Sequence, residues 1–534
     1  MPSLHVTIIT ALLIMALPVG VRGTPAFTLK SEYRHDALDY GSRSSWFFRQ
    51  KMLFQSGNTL AGAGVTRRDT PAEYSITGCA VFSPEQPFWT VTTGHFYANF
   101  GTGLLIGKGN SFNPDPFSSR PVTRGVRVFT PCFSGNPLYA FRGMGVSLRY
   151  PAHNEKVSVN TFHSLQERYT TSPMLEDDAT TQSHNSLLSR SRPDGKYTQP
   201  VTIRTTGASL SLRPGSYLLL QGNYYAAGIT HDKNRHMNWQ LKENDHGSSA
   251  IRLLRGAGYY ACYHDGMVTA FIEQCWSFNR VLENHRPRQH PSSGLVTGMR
   301  YRGAVLSMGA VYKKTAISYL APLGNALGSH NPEEVYTIEC AIKPRRYLET
   351  GITLDDENSL SPSSYYGEFP HTRRQSWFFN LEKNIFSING TVARRSACKK
   401  GMDDTSTREK LKLTIDPPHP LSLSARLLFQ QKSSSGYSYL AGAEAAYDKW
   451  MNCSIDAGLL WFSARGANPL YATLLQLPGT SIPFMYIKGR GLMGACRITF
   501  SRGVIKTWLR LLYPLYQEKD TITPIMEFAL TAEF

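Results

Sequence analysis

From Phe27 to the C-terminal residue, apolar and polar positions alternate over one short stretch after another, the period of half-buried β-strands. Leu411, Leu413 and Ile415 alternate with Lys410, Lys412, Thr414 and Asp416. The run Pro417-Pro418-His419-Pro420 then turns the chain, and Leu421, Leu423, Ala425, Leu427 and Phe429 alternate with Ser422, Ser424 and Arg426. This spacing predicts a hairpin over 410–429. A second is predicted around Arg502-Gly503, with Leu492, Cys496, Ile498 and Phe500 on one arm and Ile505, Leu509 and Leu511 on the other. Further hairpins are expected at Arg213-Pro214-Gly215 and near Lys383-Asn384. At the C-terminus, Met526, Phe528, Leu530, Ala532 and Phe534 form one more apolar stripe against Glu527, Ala529, Thr531 and Glu533.

Alternation alone fits any antiparallel sheet with one covered face. The connections narrow the choice. Tight turns are expected near Gly57, Pro214, Pro344, Asn384, Pro418, Lys449 and Gly503. Between them lie long polar stretches, from Gln166 to Gln199, Thr230 to Ser249, Asp355 to Arg374 and Ser463 to Pro483. Short turns at one end and long loops at the other are the habit of membrane β-barrels. The expected fold is therefore all-β, a large antiparallel transmembrane barrel of about 20–24 strands at roughly ten residues per tilted span.

Composition agrees. Aromatic residues make up 12% and charged residues only 18% of 534 residues, with 44 Gly and 28 Tyr, a strand-rich balance. Val6 to Val19 is largely apolar and uncharged, and small or branched residues follow at Val21-Arg22-Gly23. We expect a signal peptide over 1–23 and a single barrel domain over 24–534. The eight cysteines form no CxxC pair. Cys340, Cys453 and Cys496 stand where an apolar strand residue belongs, which favours lipid-facing side chains over a disulfide framework. The net charge of +18 is spread along strands and loops, a pattern that suits a basic lumen or basic rims better than nucleic acid.

Several segments resemble an uncharacterised family of bacterial outer-membrane β-barrels, some members of which carry N-terminal helix-hairpin-helix segments. They are Gly94-His95-Phe96-Tyr97-Ala98-Asn99-Phe100-Gly101-Thr102-Gly103-Leu104, Phe141-Arg142-Gly143-Met144-Gly145-Val146, Asn331-Pro332-Glu333-Glu334, Asn468-Pro469-Leu470-Tyr471 and Trp508-Leu509-Arg510. No helix-hairpin-helix segment is present, so no nucleic-acid partner is expected. The resemblance implies a bacterial outer-membrane location, contact with outer-membrane lipid, and a C-terminal strand read by the barrel-assembly machinery. That last role would fall to Phe534 with Ala532, Leu530 and Phe528.

Chemistry is sparse. There is no HExxH or GxSxG, and Gly489-Arg490-Gly491-Leu492-Met493-Gly494 opens a strand where a dinucleotide site needs a helix. Neither catalytic residues, cofactor nor metal ligands are expected. Glu176, Asp177, Asp178 and His184 share a polar loop best read as solvated. The Gly94 to Gly109 segment has two readings: glycines that let a strand curve, or a constriction folded into the lumen. A charge on the lipid face costs about 2–4 kcal/mol at mid-membrane, so Lys410, Lys412, Arg426, Arg497, Lys506 and Arg510 are expected to face the lumen. Two functions follow: a porin-like channel for small solutes, anions favoured, or a plugged structural or surface-interaction barrel whose cations pair with inward acids.

Overall fold

A computed structural model gives the chain's architecture. It describes residues 26–533 except 37–44, 57–58, 69–72, 84–87, 108–127, 133–139, 151–155, 172–197, 232–250, 284–285, 317–332, 360–370, 400–401, 418–419, 434–435, 451, 465–469, 473–474, 476–484, 488, 504 and 518–524. The expected signal peptide, the acidic and His184 positions of the first long loop, and Phe534 lie outside the described residues.

Twenty-seven strands, β1 to β27 in chain order, follow one another with no helix among the described residues. Around the main sheet neighbouring strands pair antiparallel. The ring closes where β1 (Ala26–Asp36) meets β2 (Ser45–Ser56) on one side and β27 (Ile525–Glu533) on the other. Of the 25 strands in this sheet, the three-residue β6 (Phe129–Pro131) pairs only with β5 (Trp89–Ala98), so setting it aside leaves 24 staves. β23 (Leu470–Ala472) and β24 (Met485–Ile487) make a separate small hairpin. The chain is thus a 24-stranded antiparallel barrel, at the upper end of the expected range.

The period-two pattern sets the two faces of the wall. In β20 (Leu421–Lys432), Leu421, Leu423 and Leu427 are exposed while Leu428 on the opposite face is buried. The register with β19 (Met402–Ile415) sets Leu411 beside Leu427 and Lys412 beside Arg426, so apolar and basic residues fall on opposite faces. Exposed Leu, Ile, Tyr, Trp and Met recur on the outer face around the ring, for example Met144, Leu210, Ile338, Trp377 and Leu511. Such a belt is stable only against acyl chains, and the closed ladder satisfies the backbone there. The strands do the crossing: no helix of the described residues is long and apolar enough to span a membrane.

Tight connections gather at one rim. At the β11–β12 turn, between β11 (Ile251–His264) and β12 (Val268–Glu283), Asp265 accepts hydrogen bonds from the Met267 and Val268 amides. These bonds hold its carboxyl below the usual range. Asn384 and Asn452 take the positive φ that two other turns need, at 51° and 68°.

The structure adjusts some expected boundaries. Pro344 lies inside β15 (Glu333–Arg345), where the pairing is irregular between Ile342 and Arg345, and the turn falls at 346–347. A residue without an N–H fits such an irregularity. Lys449 likewise lies inside β21 (Gly436–Trp450). Much of the polar stretch from Asp355 to Arg374 is paired strand: β16 (Leu348–Ser359) and β17 (His371–Lys383) set Asp355 opposite Arg374, and His371 Nε2 lies 2.9 Å from Asp356 Oδ1. Strands here outrun the apolar belt, and cross-strand charges support their wet ends.

Leu427→Arg should lower the folding stability of the protein in lipid vesicles by about 2–4 kcal/mol, whereas Ser424→Arg on the opposite face should cost under about 1 kcal/mol. Urea titration of the folded and unfolded gel bands measures both. Equal losses would contradict the assignment of faces.

Candidate functional site

The inner face is not an open cylinder wall. Two connections from the long-loop rim fold back into the barrel. After β5 the chain leaves the ladder. The Asn99 amide donates to Val128 O at 3.0 Å, Phe100 N donates to Ile106 O at 2.9 Å, and Gly103 N donates to Phe100 O at 3.0 Å. The result is a compact turn over 100–106. Phe100, Leu104, Leu105 and Ile106 are almost wholly buried in one apolar cluster with Phe96, Phe129, Phe141 and Phe162. The inner wall supplies Ile203, Tyr225, Leu254, Tyr260, Phe271 and Val296 to the same cluster. Of the two readings of the Gly94 to Gly109 segment, residues 100–106 take the inward one, while residues 94–98 stay in the wall as the end of β5.

A single carboxylate fastens this turn to the wall. Glu273, five residues into β12 and fully buried, accepts the Thr102 amide at 2.6 Å and the Thr102 hydroxyl through the same Oε2 atom. Cys275 Sγ lies 3.6 Å from the other oxygen, and the Leu104 backbone also bonds to the carboxyl. Gly101 N donates to Gln221 Oε1 at 3.3 Å. Backbone N–H groups curled around the carboxyl satisfy a buried polar group that would otherwise be costly. Gly101 has φ 59°, and a Cβ there would come within 2.7 Å of Glu273 Oε1, so the close approach requires glycine. Gly256 does the same for packing: a Cβ there would lie 2.4 Å from a Tyr225 ring carbon and 2.6 Å from Leu105 Cδ1.

The second inward connection follows β22 (Cys453–Ala464). Leu470, Leu475 and Ile487 are buried against Leu428, Leu440, Leu460, Phe462, Met493 and Leu512 of the inner wall. Arg510, itself buried, donates from Nη1 to Leu475 O at 3.3 Å. Arg510 belongs to β26 (Ile505–Gln517), twelve staves from β12 in the ring of 24, so the two anchors sit on opposite walls.

The six cations singled out from the sequence divide into two groups. Arg426 pairs with Glu444 at 3.0 Å, Arg497 with Asp456 at 2.6 Å, and Arg510 holds the second loop. Lys410, Lys412 and Lys506 are exposed, with no ion pair among the described residues. By register, Lys410 and Lys412 share a face with Arg426, opposite Leu411 and Leu427. Other inner-face charges are also matched, with Arg300–Glu339 at 3.1 Å and Lys313–Glu333 at 2.5 Å. Sequence reasoning missed Glu273, Asp456 and Glu444. Glu273 shares its strand face with Phe271, Cys275 and Ser277, and an acid inside a mixed stripe was the available signal.

The cysteines whose side chains are described fall on both faces. By register Cys340 lies beside Met308, and Cys496 beside Leu511, on the outer, exposed face. Cys79, Cys262 and Cys275 instead belong to the apolar cluster inside the barrel, and Cys132 is buried as well.

Fold and site together define a large membrane-spanning β-barrel narrowed by its own loops. No family model matches the chain, and no curated protein matches it. Among solved structures it is similar to the P pilus usher PapC translocation pore, at 9% identity and TM-score 0.42 over 96% of this chain and 99% of that one. It is also similar to a mutant of the ferric enterobactin receptor PfeA of Pseudomonas aeruginosa, at 7% identity and TM-score 0.49 over 96% and 81%. The siderophore receptor PirA of Acinetobacter baumannii gives 8% identity and TM-score 0.48 over 96% and 81%. The assignment of this chain rests on its own strand pairing and outer belt.

Glu273→Ala should free the 100–106 turn, because two backbone amides and a hydroxyl lose a buried partner at about 1–3 kcal/mol each. Hydrogen exchange at 101–104 should accelerate by at least about tenfold while the wall strands keep their protection. Unchanged exchange there would show that Glu273 is not the anchor.

Proposed function

We propose that the chain is a porin-like channel of the bacterial outer membrane, passing small, preferably anionic solutes through a lumen that its own loops constrict. The observation that carries this reading is the division of the inner-face cations. Arginines are spent on acids and on a loop carbonyl, while Lys410, Lys412 and Lys506 stay exposed on the polar face. Exposed ammonium groups along a watered passage attract anions and repel cations. The outer belt supports residence in lipid, and the apolar stripe ending at Phe534, with Ala532, Leu530 and Phe528, supports delivery by barrel-assembly machinery. Export through a cleaved signal over 1–23 belongs to the same reading. So does membership in the uncharacterised outer-membrane barrel family that its motifs resemble.

The buried Glu273 clamp favours a second reading, a plugged barrel with a structural or surface role. In that case the constriction is permanent.

Conductance of the purified protein in planar bilayers separates the two. The channel reading expects stepwise conductance with anion preference, and Lys410→Glu, Lys412→Glu and Lys506→Glu together should shift the permeability ratio severalfold toward cations. Excising 100–106 should raise single-channel conductance. A silent wild type that conducts only after that excision supports the plugged barrel. Cation preference in the wild type would remove the anion channel.

A further inference from the structure

The inward connection that begins at β5 returns to the wall at Cys132, beside another cysteine. β6 pairs with β5, setting Phe96 opposite Pro131, and the Cys132 amide donates to His95 O at 2.8 Å. On the same side of β5, opposite β7 (Phe141–Tyr150), lies β4 (Glu73–Phe82), where Cys79 stands opposite Gly94. His95 Nδ1 sits 3.2 Å from Gly78 N, which ties that part of β5 to the residue before Cys79. β4 and β6 are in contact along this edge, which brings Cys79 and Cys132 to neighbouring places, and Cys79 Sγ now points to Ala80 O at 3.9 Å. Cys132 Sγ now points to the Tyr97 hydroxyl at 3.2 Å. Rotation about its Cα–Cβ bond is the movement that would release it from Tyr97 for Cys79. The pair is specific. The other two interior cysteines, Cys262 opposite Phe271 and Cys275 opposite Gly258, stand four positions apart along their ladder, about 13 Å at strand spacing. That is well beyond the reach of a disulfide.

We propose that Cys79 and Cys132 form a disulfide that staples the return of the β5–β6 connection to the barrel wall. The inference rests on the outer-membrane reading, because a chain exported to that membrane crosses an oxidising compartment. Both S–H bonds break and one S–S bond forms. The two protons leave to solvent and the two electrons pass to a protein disulfide of the export compartment, which is reduced to a dithiol. Both cysteines are almost fully buried once the barrel has closed, at 5% and 1% exposure. The bond therefore forms on the chain before closure and is shielded from reductant afterwards. Glu273 then holds the 100–106 turn and the disulfide holds the return at Cys132, two anchors on one constriction.

The test uses the full-length protein in its native envelope. Cells are quenched in acid, free thiols are blocked with N-ethylmaleimide, and the tryptic peptides of the membrane fraction are read by mass spectrometry before and after reduction. The expected result is a peptide pair joining Cys79 to Cys132 that separates on reduction, with Cys262 and Cys275 carrying maleimide. Both cysteines fully alkylated in outer-membrane protein would overturn the staple and leave the outer-membrane reading standing. Reduced thiols in protein that stays in the cytoplasm would overturn both. As a second measurement, Cys79→Ser should speed hydrogen exchange over 99–107 by about tenfold at unchanged wall protection, and Cys262→Ser should not. Equal exchange in the Cys79→Ser and wild-type proteins would contradict a holding role for the bond.

Discussion

A bilayer offers no water to a backbone, so every N–H and C=O within it must find a partner in the protein. This constraint governs the molecule. An open sheet of these strands would expose two unpaired edges to hydrocarbon, and the register of β1 with β27 removes both. Once the ring is closed, period two does the rest. Each strand turns one row of side chains to lipid and one to the interior, and the sequence need only keep the rows distinct. Leu411 beside Leu427 and Lys412 beside Arg426 show the rule in two adjacent pairs.

Closing 24 strands creates a wide interior, and this chain does not leave it to water alone. On one side an apolar turn, 100–106, packs against phenylalanines and tyrosines of the wall. On the other, Leu470, Leu475 and Ile487 form a second apolar contact. Each loop adds one polar fixture, Glu273 for the first and Arg510 for the second. Apolar burial supplies most of the attraction, and the polar fixtures select one position for each loop, since a buried charge tolerates only the geometry that satisfies it. A constriction built this way is held by few groups, which makes it adjustable by few changes.

Much of this was legible in the chain. The hairpin over 410–429 and the turns at Asn384 and Gly503 could be placed because alternation, turn residues and proline all agreed. Boundaries slipped where those signals conflicted. Pro344 looked like a turn but sits at an irregular strand end, and Asp355 to Arg374 looked like a loop because its strands are supported by charge pairs beyond the apolar belt. The interior was harder to see. Glycine and aromatic residues between Gly94 and Gly109 suit a curved strand and an inward turn equally well. The partner that decides between them, Glu273, lies 171 residues from Thr102. Likewise nothing local separates Cys496, on the outer face, from Cys79, inside. Facing direction is a property of the closed ring, and only the register reveals it.

Closure can be tested directly by joining the first strand to the last. Ser31 lies opposite Leu530 in the register of β1 with β27. With Ser31→Cys and Leu530→Cys introduced together and a protease site placed in the 416–420 turn, membrane-inserted protein is oxidised, cleaved and run without reductant. A closed barrel predicts that the two fragments stay joined until reduced, and that either single substitution lets them part. Fragments that separate in the doubly substituted protein would contradict the pairing on which the barrel depends.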